Sequence, residues 1–331
     1  MSSESEMGPW RWKLRLFASA DLVGSTAYKA GQSAAQSPEW VSTFTEFFRD
    51  FPEAIRSQYD ELPALKHCPV VVDQLTPWKF LGDEILFAVE LTRHQDAASH
   101  ILAFKNALRV FPEVWRKKSL PLRLKGAAWL AGFPITNREV SVPAPNGAPI
   151  VDYIGPSMDL GFRIAKFCDA RKLVLSADLA LMLLDGVDSI EWKKELFHLL
   201  LGGKEVLKGV IGNEGYPVVH LHMQDGVFSL EEKLLGSNHE CDWARLTDYL
   251  REFIDEHSPR LIRPFIAGDT TGKYGSVPDT FVKLRKQLRA EESDRGYTDP
   301  STTSPPEARG PEREIAPPQA TASGSSNSYV E

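Results

Sequence analysis

Two carboxylates occupy positions from which they could bind divalent metal ions. Asp21 follows KLRLFASA, whose alternation of polar and apolar residues predicts a β-strand with one buried face. Asp83 lies in WKFLGDEILFAV, where Gly82-Asp83 between two apolar runs predicts a tight hairpin. If the hairpin pairs with the first strand, the two carboxylates face each other and repel unless a cation lies between them. Such hard oxygen ligands favour Mg²⁺ or Mn²⁺, and paired ions of this kind serve phosphoryl chemistry.

The residues after Asp21 are suited to binding an anion. Leu22-Val23-Gly24-Ser25-Thr26 is small and flexible enough for its backbone N–H groups to turn toward a phosphate. The alternative is an ordinary, partly exposed aspartate at the junction of a strand and a turn. A metal-nucleotide site is the functional interpretation of the same stretch.

A third group of polar residues lies downstream. They form the pattern Asp152-x-x-Gly155-x-x-x-Asp159-x-x-x-Arg163. A helix is predicted to begin at Gly155 and to run to about Cys168. Asp159 and Arg163 are four residues apart, so they could equally form a surface ion pair of little value. Lys208, in Leu-Lys-Gly-Val before a predicted closing strand, is either a site residue or a solvated lysine at a turn.

In this order and spacing, the three motifs resemble those of class III nucleotidyl cyclases, over about residues 10–221. The resemblance implies an α+β fold with a ferredoxin-like core, in which helices flank an antiparallel sheet. It also implies conversion of a nucleoside triphosphate to a 3′,5′-cyclic monophosphate and pyrophosphate. Enzymes of this family work as head-to-tail homodimers, with metal carboxylates from one subunit and base-contacting and transition-state residues from the other.

The resemblance assigns roles to named residues of this chain. Two Mn²⁺ or Mg²⁺ ions would be held by Asp21, Asp83 and the Leu22 carbonyl. Substrate phosphates would meet the backbone of Val23, Gly24, Ser25 and Thr26. Arg163 and Lys208 would balance the negative charge that develops in the transition state. The family usually has Asn where this chain has Asp159, and a carboxylate cannot donate a hydrogen bond to the ribose as an amide can.

The nucleotide base is read, by the same resemblance, at Lys79 and Asp152. Adenine-selective members carry a Lys/Asp pair, since lysine donates to a ring acceptor and aspartate accepts from an exocyclic amine. The KFLGDEILF stretch, the Asp159 departure and the standalone layout instead resemble the Pycsar cyclases, bacterial antiphage enzymes that make cyclic UMP or cyclic CMP. Whole-chain resemblance favours UTP, with Tyr153 as a further base-contacting residue. Cytidylate and adenylate cyclase remain alternatives.

Composition places further bounds on function. The net charge of −7 over 331 residues gives no support for a general nucleic-acid or membrane partner. Three widely spaced cysteines, Cys68, Cys168 and Cys241, favour reduced thiols in a cytoplasmic protein. No apolar run approaches the roughly 18 residues of a membrane span, and the polar, acidic start is not typical of a signal peptide.

The order of predicted elements is strand, helices, hairpin, helix and strand, which favours α+β over a doubly wound α/β fold. One long amphipathic helix is expected over 96–118, followed by a strand over 122–130. GDTTGK at 268–273 resembles a P-loop but has three residues between its glycines instead of four, so a plain loop is expected.

These patterns divide the chain into four regions. They are a flexible N-terminus (1–9), a cyclase catalytic domain (10–224), a helical C-terminal extension (225–290) and a disordered tail (291–331). A separate effector activated by the cyclic nucleotide is implied by the family alone. An inactive cyclase-like binding protein and a different two-metal phosphoryl enzyme, such as a phosphatase, are the competing interpretations.

Overall fold

The computed structural model describes residues 10–31, 39–63, 73–144, 147–224, 227–234, 241–270 and 272–294. These residues form an α+β fold in which helices flank a seven-stranded sheet, as the sequence predicts. The strands are β1 (Lys13–Val23), β2 (Thr76–Leu81), β3 (Glu84–Leu91), β4 (Arg123–Phe133), β5 (Arg138–Val142), β6 (Ile150–Ile154), β7 (Lys172–Leu175), β8 (Leu199–Val206) and β9 (Gly215–His222).

Several helices pack against the strands of this sheet. The helices are α1 (Ser25–Ala30), α2 (Glu39–Asp60), α3 (Asp96–Val110), α4 (Pro112–Lys117), α5 (Pro156–Ile164), α6 (Ala177–Ser189), α7 (Leu230–Leu234), α8 (Trp243–Glu256) and α9 (Asp279–Asp294). None of these helices combines the length and apolarity that crossing a lipid bilayer requires.

The first strand lies inside the large sheet, whose order is β2-β3-β1-β4-β7-β9-β8. β1 is antiparallel to both β3 and β4, and its Leu16, Ala18 and Ala20 are completely buried on one face. The predicted antiparallel sheet has one exception, because β4 and β7 are parallel and pair over only three residues, Gly126–Ala128. β7 ends at Leu175, whereas β4 continues to Phe133, and α5 packs against β4.

The predicted helix over 96–118 is wrong in one respect, because the chain forms two helices there. α3 ends at Val110, and Pro112 begins α4. Proline has no backbone N–H to continue the first helix but fits the first turn of a new one. The predicted strand over 122–130 is longer than expected and reaches Phe133.

The small β5–β6 sheet and α5 follow one another in the chain. β6 ends at Ile154, and Gly155, with φ +139°, leads directly into α5. A side chain at Gly161 would lie 2.2 Å from the Trp129 ring, so glycine is needed for α5 to approach β4 this closely. α5 is shorter than predicted: it ends at Ile164, and one 3₁₀ turn continues it to Phe167.

Described residues of the C-terminal region pack onto the rest of the structure. Leu250 and Phe253 of α8 are buried, and α8 contacts α6. The disordered tail predicted from residue 291 begins too early, because α9 continues to Asp294 and Glu292 forms an ion pair with Arg138. Residues 1–9 and 295–331 lie outside the described part of the chain, as does Cys68. Cys168 and Cys241 form no disulfide within the described residues.

Candidate active site

The hairpin formed by β2 and β3 pairs with β1, as the sequence predicts. The register places Asp21 directly opposite Glu84, and Asp83 lies in the turn just before Glu84. Gly82, with φ +64°, supplies the left-handed conformation that this tight turn requires. The register therefore brings the end of β1 and the tip of the hairpin to one edge of the sheet.

Asp21 is not free of partners in this arrangement. Lys125, the residue of β4 that pairs with Asp21, has its ammonium 2.9 Å from the Asp21 carboxylate, and both side chains are partly exposed. Burial acts to lower the pKa of Lys125, but the hydrogen bond and charge of Asp21 outweigh it, so the pKa is raised. Lys125 thus neutralises the carboxylate that was predicted to bind a cation, and no sequence motif indicated this residue.

Glu84 is a third carboxylate at this edge, and sequence reasoning also missed it. Ser19 donates a hydrogen bond to Glu84, and burial raises the pKa of Glu84. The charges of Asp21 and Asp83 raise the same pKa further, so Glu84 is close enough to interact with each of them. Its position directly after Asp83 was the available signal, because the pairing of β3 with β1 turns that side chain toward Asp21.

The part of the chain described here holds no cluster of three or more His, Cys, Asp or Glu side chains arranged to bind a metal ion. The metal prediction therefore depends on Asp21, Asp83 and the Leu22 carbonyl alone. These are hard oxygen donors, and Mg²⁺ is commonly bound by one or two carboxylates completed by substrate phosphates and water. The donor set fits such an ion.

The predicted phosphate-binding stretch begins where β1 passes into α1. Gly24 has φ +89°, and a Cβ added there would lie 2.8 Å from the Pro121 carbonyl oxygen. Ser25 and Thr26 then form the first turn of α1, whose backbone N–H groups have no partners from a preceding helical turn. Together with Val23 they remain predicted phosphate contacts.

The two predicted base-reading residues are in direct contact. The Lys79 ammonium lies 2.7 Å from one Asp152 oxygen, and the other Asp152 oxygen accepts a hydrogen bond from the Tyr153 backbone N–H. Trp78 donates from its indole to the Val151 carbonyl, which fixes the hairpin against β6. Residues far apart in sequence thus form one donor and acceptor pair.

The Tyr153 ring lies beside this pair but packs among aromatic side chains. It contacts Phe17, Trp78 and Phe133 at centroid distances of 5.0–5.4 Å, and its half-buried position raises its hydroxyl pKa. The backbone of Tyr153 orients Asp152, while its ring supports the strands beneath.

Asp159 and Arg163 lie on α5 and line a cavity of about 430 Å³. They do not form the ion pair that their spacing allowed, and no other ion pair holds Arg163 within the described residues. Lys208 is exposed in the turn after β8, and the next residues, Gly209 and Val210, line the same cavity. The structure therefore brings the predicted transition-state residues around one cavity.

The two carboxylates predicted to bind metal lie in a different part of the structure. The cavity reaches Trp12 and Leu14 at the start of β1 and Phe133 at the end of β4. Asp21 lies near the other end of β1, and neither Asp21 nor Asp83 lines the cavity. One chain thus carries two separate groups of candidate residues, as a composite site requires.

Comparisons with known proteins were made on sequence and on structure. Neither a scan against protein-family models nor a search of curated proteins returned a match. Among solved structures, the adenylyl cyclase CyaB from P. aeruginosa superimposes with a TM-score of 0.47 and 14% identity, covering 66% of this chain and 95% of that one. The guanylyl cyclase Cya2 gives 0.43 and 15%, covering 64% and 91%.

A guanylate cyclase domain from Catenaria anguillulae in complex with GTP gives 0.42 and 12%, covering 63% and 96%. At these identities, and with TM-scores below 0.5, the likeness carries no functional assignment. Function has to be inferred from the residues of this chain.

Proposed function

We propose that this chain is a class III nucleotidyl cyclase that converts UTP to 3′,5′-cyclic UMP and pyrophosphate. The observation that carries the proposal is the β1–β3 register, which sets Asp21 opposite Glu84 and Asp83 beside them. Two candidate metal carboxylates from separate motifs thereby meet at one sheet edge, in the order and spacing that the cyclase resemblance requires.

The metal donors would be Asp21, Asp83 and the Leu22 carbonyl. Bound divalent ions would acidify the ribose 3′-hydroxyl and stabilise the charge on the triphosphate. For Asp21 to act as a ligand, its ion pair with Lys125 has to loosen. The Lys125 ammonium, which lies 2.9 Å from the Asp21 carboxylate, can then bind the negatively charged phosphates of the substrate.

The cations around the cavity serve the other half of the reaction. When the 3′-oxygen attacks the α-phosphorus and pyrophosphate leaves, negative charge grows on the phosphate oxygens. Arg163, which has no ion-pair partner within the described residues, and the exposed Lys208 can stabilise that charge. Asp159 can accept a hydrogen bond from a ribose hydroxyl but cannot donate one.

The separation of the two groups favours a head-to-tail homodimer. Asp21 and Asp83 of one subunit would complete the cavity of the other, where Arg163 and Lys208 lie. Residues 10–224 would form the catalytic domain, and two such sites would form per dimer. A site made by one chain alone would need Asp21 or Asp83 to reach the cavity, which neither lines.

Base selection rests on the Lys79–Asp152 pair. Uracil presents O4 as an acceptor beside N3–H as a donor, so Lys79 can donate to O4 while Asp152 accepts from N3–H. Adenine and cytosine present a ring acceptor beside an amine, which the same pair can also bind. UTP is favoured by the resemblance to Pycsar cyclases, and CTP and ATP are the second candidates on the strength of this ion pair.

In this proposal the product is a second messenger for antiphage defence. A separate effector would bind cyclic UMP and act on the infected cell. The effector follows from the family resemblance, and its binding site is sought on another protein.

A product assay tests the proposal. Full-length protein is incubated with Mn²⁺ and each of ATP, GTP, CTP and UTP separately, and products are identified by mass. We expect cyclic UMP and pyrophosphate from UTP, and neither from a preparation of Asp83→Ala. Cyclic AMP or cyclic CMP as the main product would replace the UTP assignment. Release of orthophosphate without any cyclic nucleotide would indicate a phosphatase, and no turnover at all would indicate a binding protein.

A further inference from the structure

The C-terminal extension closes one side of the cavity in which Arg163 lies. Residues 259–265 line that cavity together with α5 and the turn after β8. This segment is anchored on both sides. Leu250 and Phe253 of α8 are buried before it, and Phe265 packs edge-on against Trp12 at 5.5 Å within it.

The chain after this segment is fixed as well. The Tyr274 hydroxyl donates to Asp185 on α6 at 2.9 Å, and Lys273 pairs with the same carboxylate at 3.1 Å. Asp269 lies 3.4 Å from His94, and both side chains are buried. These contacts hold residues 259–265 in place over the cavity.

One side chain of the segment stands out by its lack of a partner. Arg260 lines the cavity, is exposed, and forms no ion pair within the described residues. Its guanidinium lies beside the turn that carries Lys208, since a Cβ added to Gly212 would be 3.4 Å from Arg260 Nη1. Arg263, which also lines the cavity, is instead held by Asp255.

The charges around the cavity can be counted from its lining. Arg163 and Arg260 are cations with no ion-pair partner among the described residues, and Lys208 lies next to the lining residue Gly209. Opposing them are Asp159 and Asp178, and burial raises the pKa of Asp178 to about 6. These cations come from three parts of the chain: α5, the turn after β8 and the C-terminal extension.

We propose that Arg260 binds the phosphate groups of the nucleoside triphosphate together with Arg163 and Lys208. An arginine can bind phosphate oxygens with two parallel hydrogen bonds, which suits a di- or triphosphate chain. The extension is then part of the substrate site and not a separate appendage. This inference rests on the proposed function, because it names a substrate contact of that same site.

The test is binding of inorganic pyrophosphate to full-length protein, measured by calorimetry with Mg²⁺ present. We expect Arg260→Met to weaken binding about tenfold, since one charge-assisted contact of this kind is lost. Arg260→Lys should recover part of the affinity. Arg289→Met, which removes an exposed arginine from α9 of the same extension, should bind like the unaltered protein. Circular dichroism confirms that each variant is folded.

The outcomes separate this inference from the proposed function. If Arg260→Met binds pyrophosphate as the unaltered protein does while Arg163→Met is weakened, Arg260 is not a phosphate contact, and the cyclase proposal is untouched. If the unaltered protein does not bind millimolar pyrophosphate, the phosphate assignment of this cavity is wrong. If binding depends on Arg260 but no nucleotide is cyclised, the phosphate site stands and the cyclase proposal fails.

Discussion

The two groups of candidate residues differ in how their charges are balanced. At and beside the β2–β3 hairpin, Asp21 is paired with Lys125, and Asp152 of β6 is paired with Lys79 of β2. Around the cavity, Arg163 and Lys208 have no ion-pair partner within the described residues. The Asp21 and Asp152 carboxylates must therefore exchange partners before they bind a cation or a base, whereas Arg163 and Lys208 have no ion pair to break.

This difference indicates where an anionic ligand is bound without rearrangement. Cations held without a partner are prepared for phosphate before it arrives, which is the arrangement that stabilises transferring phosphoryl groups. The paired carboxylates, Asp21 and Asp152, instead gain selectivity for their ligands, because a ligand has to compete with an internal ion pair. Four predictions test this contrast.

The largest effect is expected at the tip of the hairpin. Asp83→Ala should lower cyclic nucleotide formation by at least about 1,000-fold, because the charge that the metal stabilises in the transition state would lose its support. Initial rates with Mn²⁺ and UTP measure this. Asp73→Ala, an exposed carboxylate close to β2, is the matched control and should leave the rate unchanged. More than a tenth of the activity remaining in Asp83→Ala would remove that residue from the metal site.

Because the two groups of residues lie apart, we expect an inactive variant of one group to complement an inactive variant of the other. Arg163→Ala alone should be at least about 100-fold less active. Mixing it with Asp83→Ala, under conditions that exchange subunits, should restore about a quarter of the original sites, because half of the dimers then carry one intact composite site. Rates of the mixture against each parent measure this. A mixture no more active than its parents would mean that both groups act within one chain.

Asp178 is one of two aspartates that line the cavity, and burial raises its pKa to about 6. A raised carboxyl pKa means that ionisation costs stability above the folded-state pKa and that this cost is relieved as the pH falls toward the unfolded value near 4. Asp178→Asn removes the cost. The variant should therefore be more stable than the original at pH 7.5, by up to about 3 kcal/mol, and the advantage should disappear near pH 4.

Urea unfolding of both proteins at several pH values measures this difference. An equal difference at all pH values would show that the ionisation of Asp178 is not its cause. Tighter pyrophosphate binding by Asp178→Asn at pH 7.5 would confirm that this carboxylate opposes the anion.

The smallest effect is expected at Lys125. Lys125→Met frees the Asp21 carboxylate, so Mn²⁺ should bind several-fold more tightly to the protein without nucleotide. Electron paramagnetic resonance of free Mn²⁺ during a titration measures the affinity. Lys172→Met, which removes a lysine paired with Asp169 at the surface, is the control. Weaker Mn²⁺ binding by Lys125→Met would show that Lys125 organises Asp21 instead of competing for it.

The pairings that local patterns could predict were those of the first strand. Alternation in β1 and the Gly82-Asp83 turn predicted a hairpin beside that strand, and the register confirms it. Lys79 and Asp152 were named together by resemblance and are in contact. The assignments of metal, phosphate and base to these residues stay predictions.

Other features could not be predicted because they depend on how distant strands and segments meet. Lys125 faces Asp21 through the register of β4, which no local pattern specifies. Arg260 reaches the cavity only because the extension folds back across it, and the resemblance does not cover that segment. The helix boundary at Pro112 was visible in the sequence, but the apolar periodicity on either side outweighed it.

The contact between Trp12, just before β1, and helix α9 has a consequence for the synthesis of the chain. The Trp12 ring is only 6% exposed. It contacts the Arg285 guanidinium at 4.2 Å and stacks with the Phe281 ring at 6.4 Å, and Arg285 also donates to the Trp10 carbonyl. β1 leaves the ribosome well before α9, because it precedes α9 in the chain. Until α9 has been made, it cannot cover Trp12, which exposes nascent and prematurely terminated chains to chaperones and proteases.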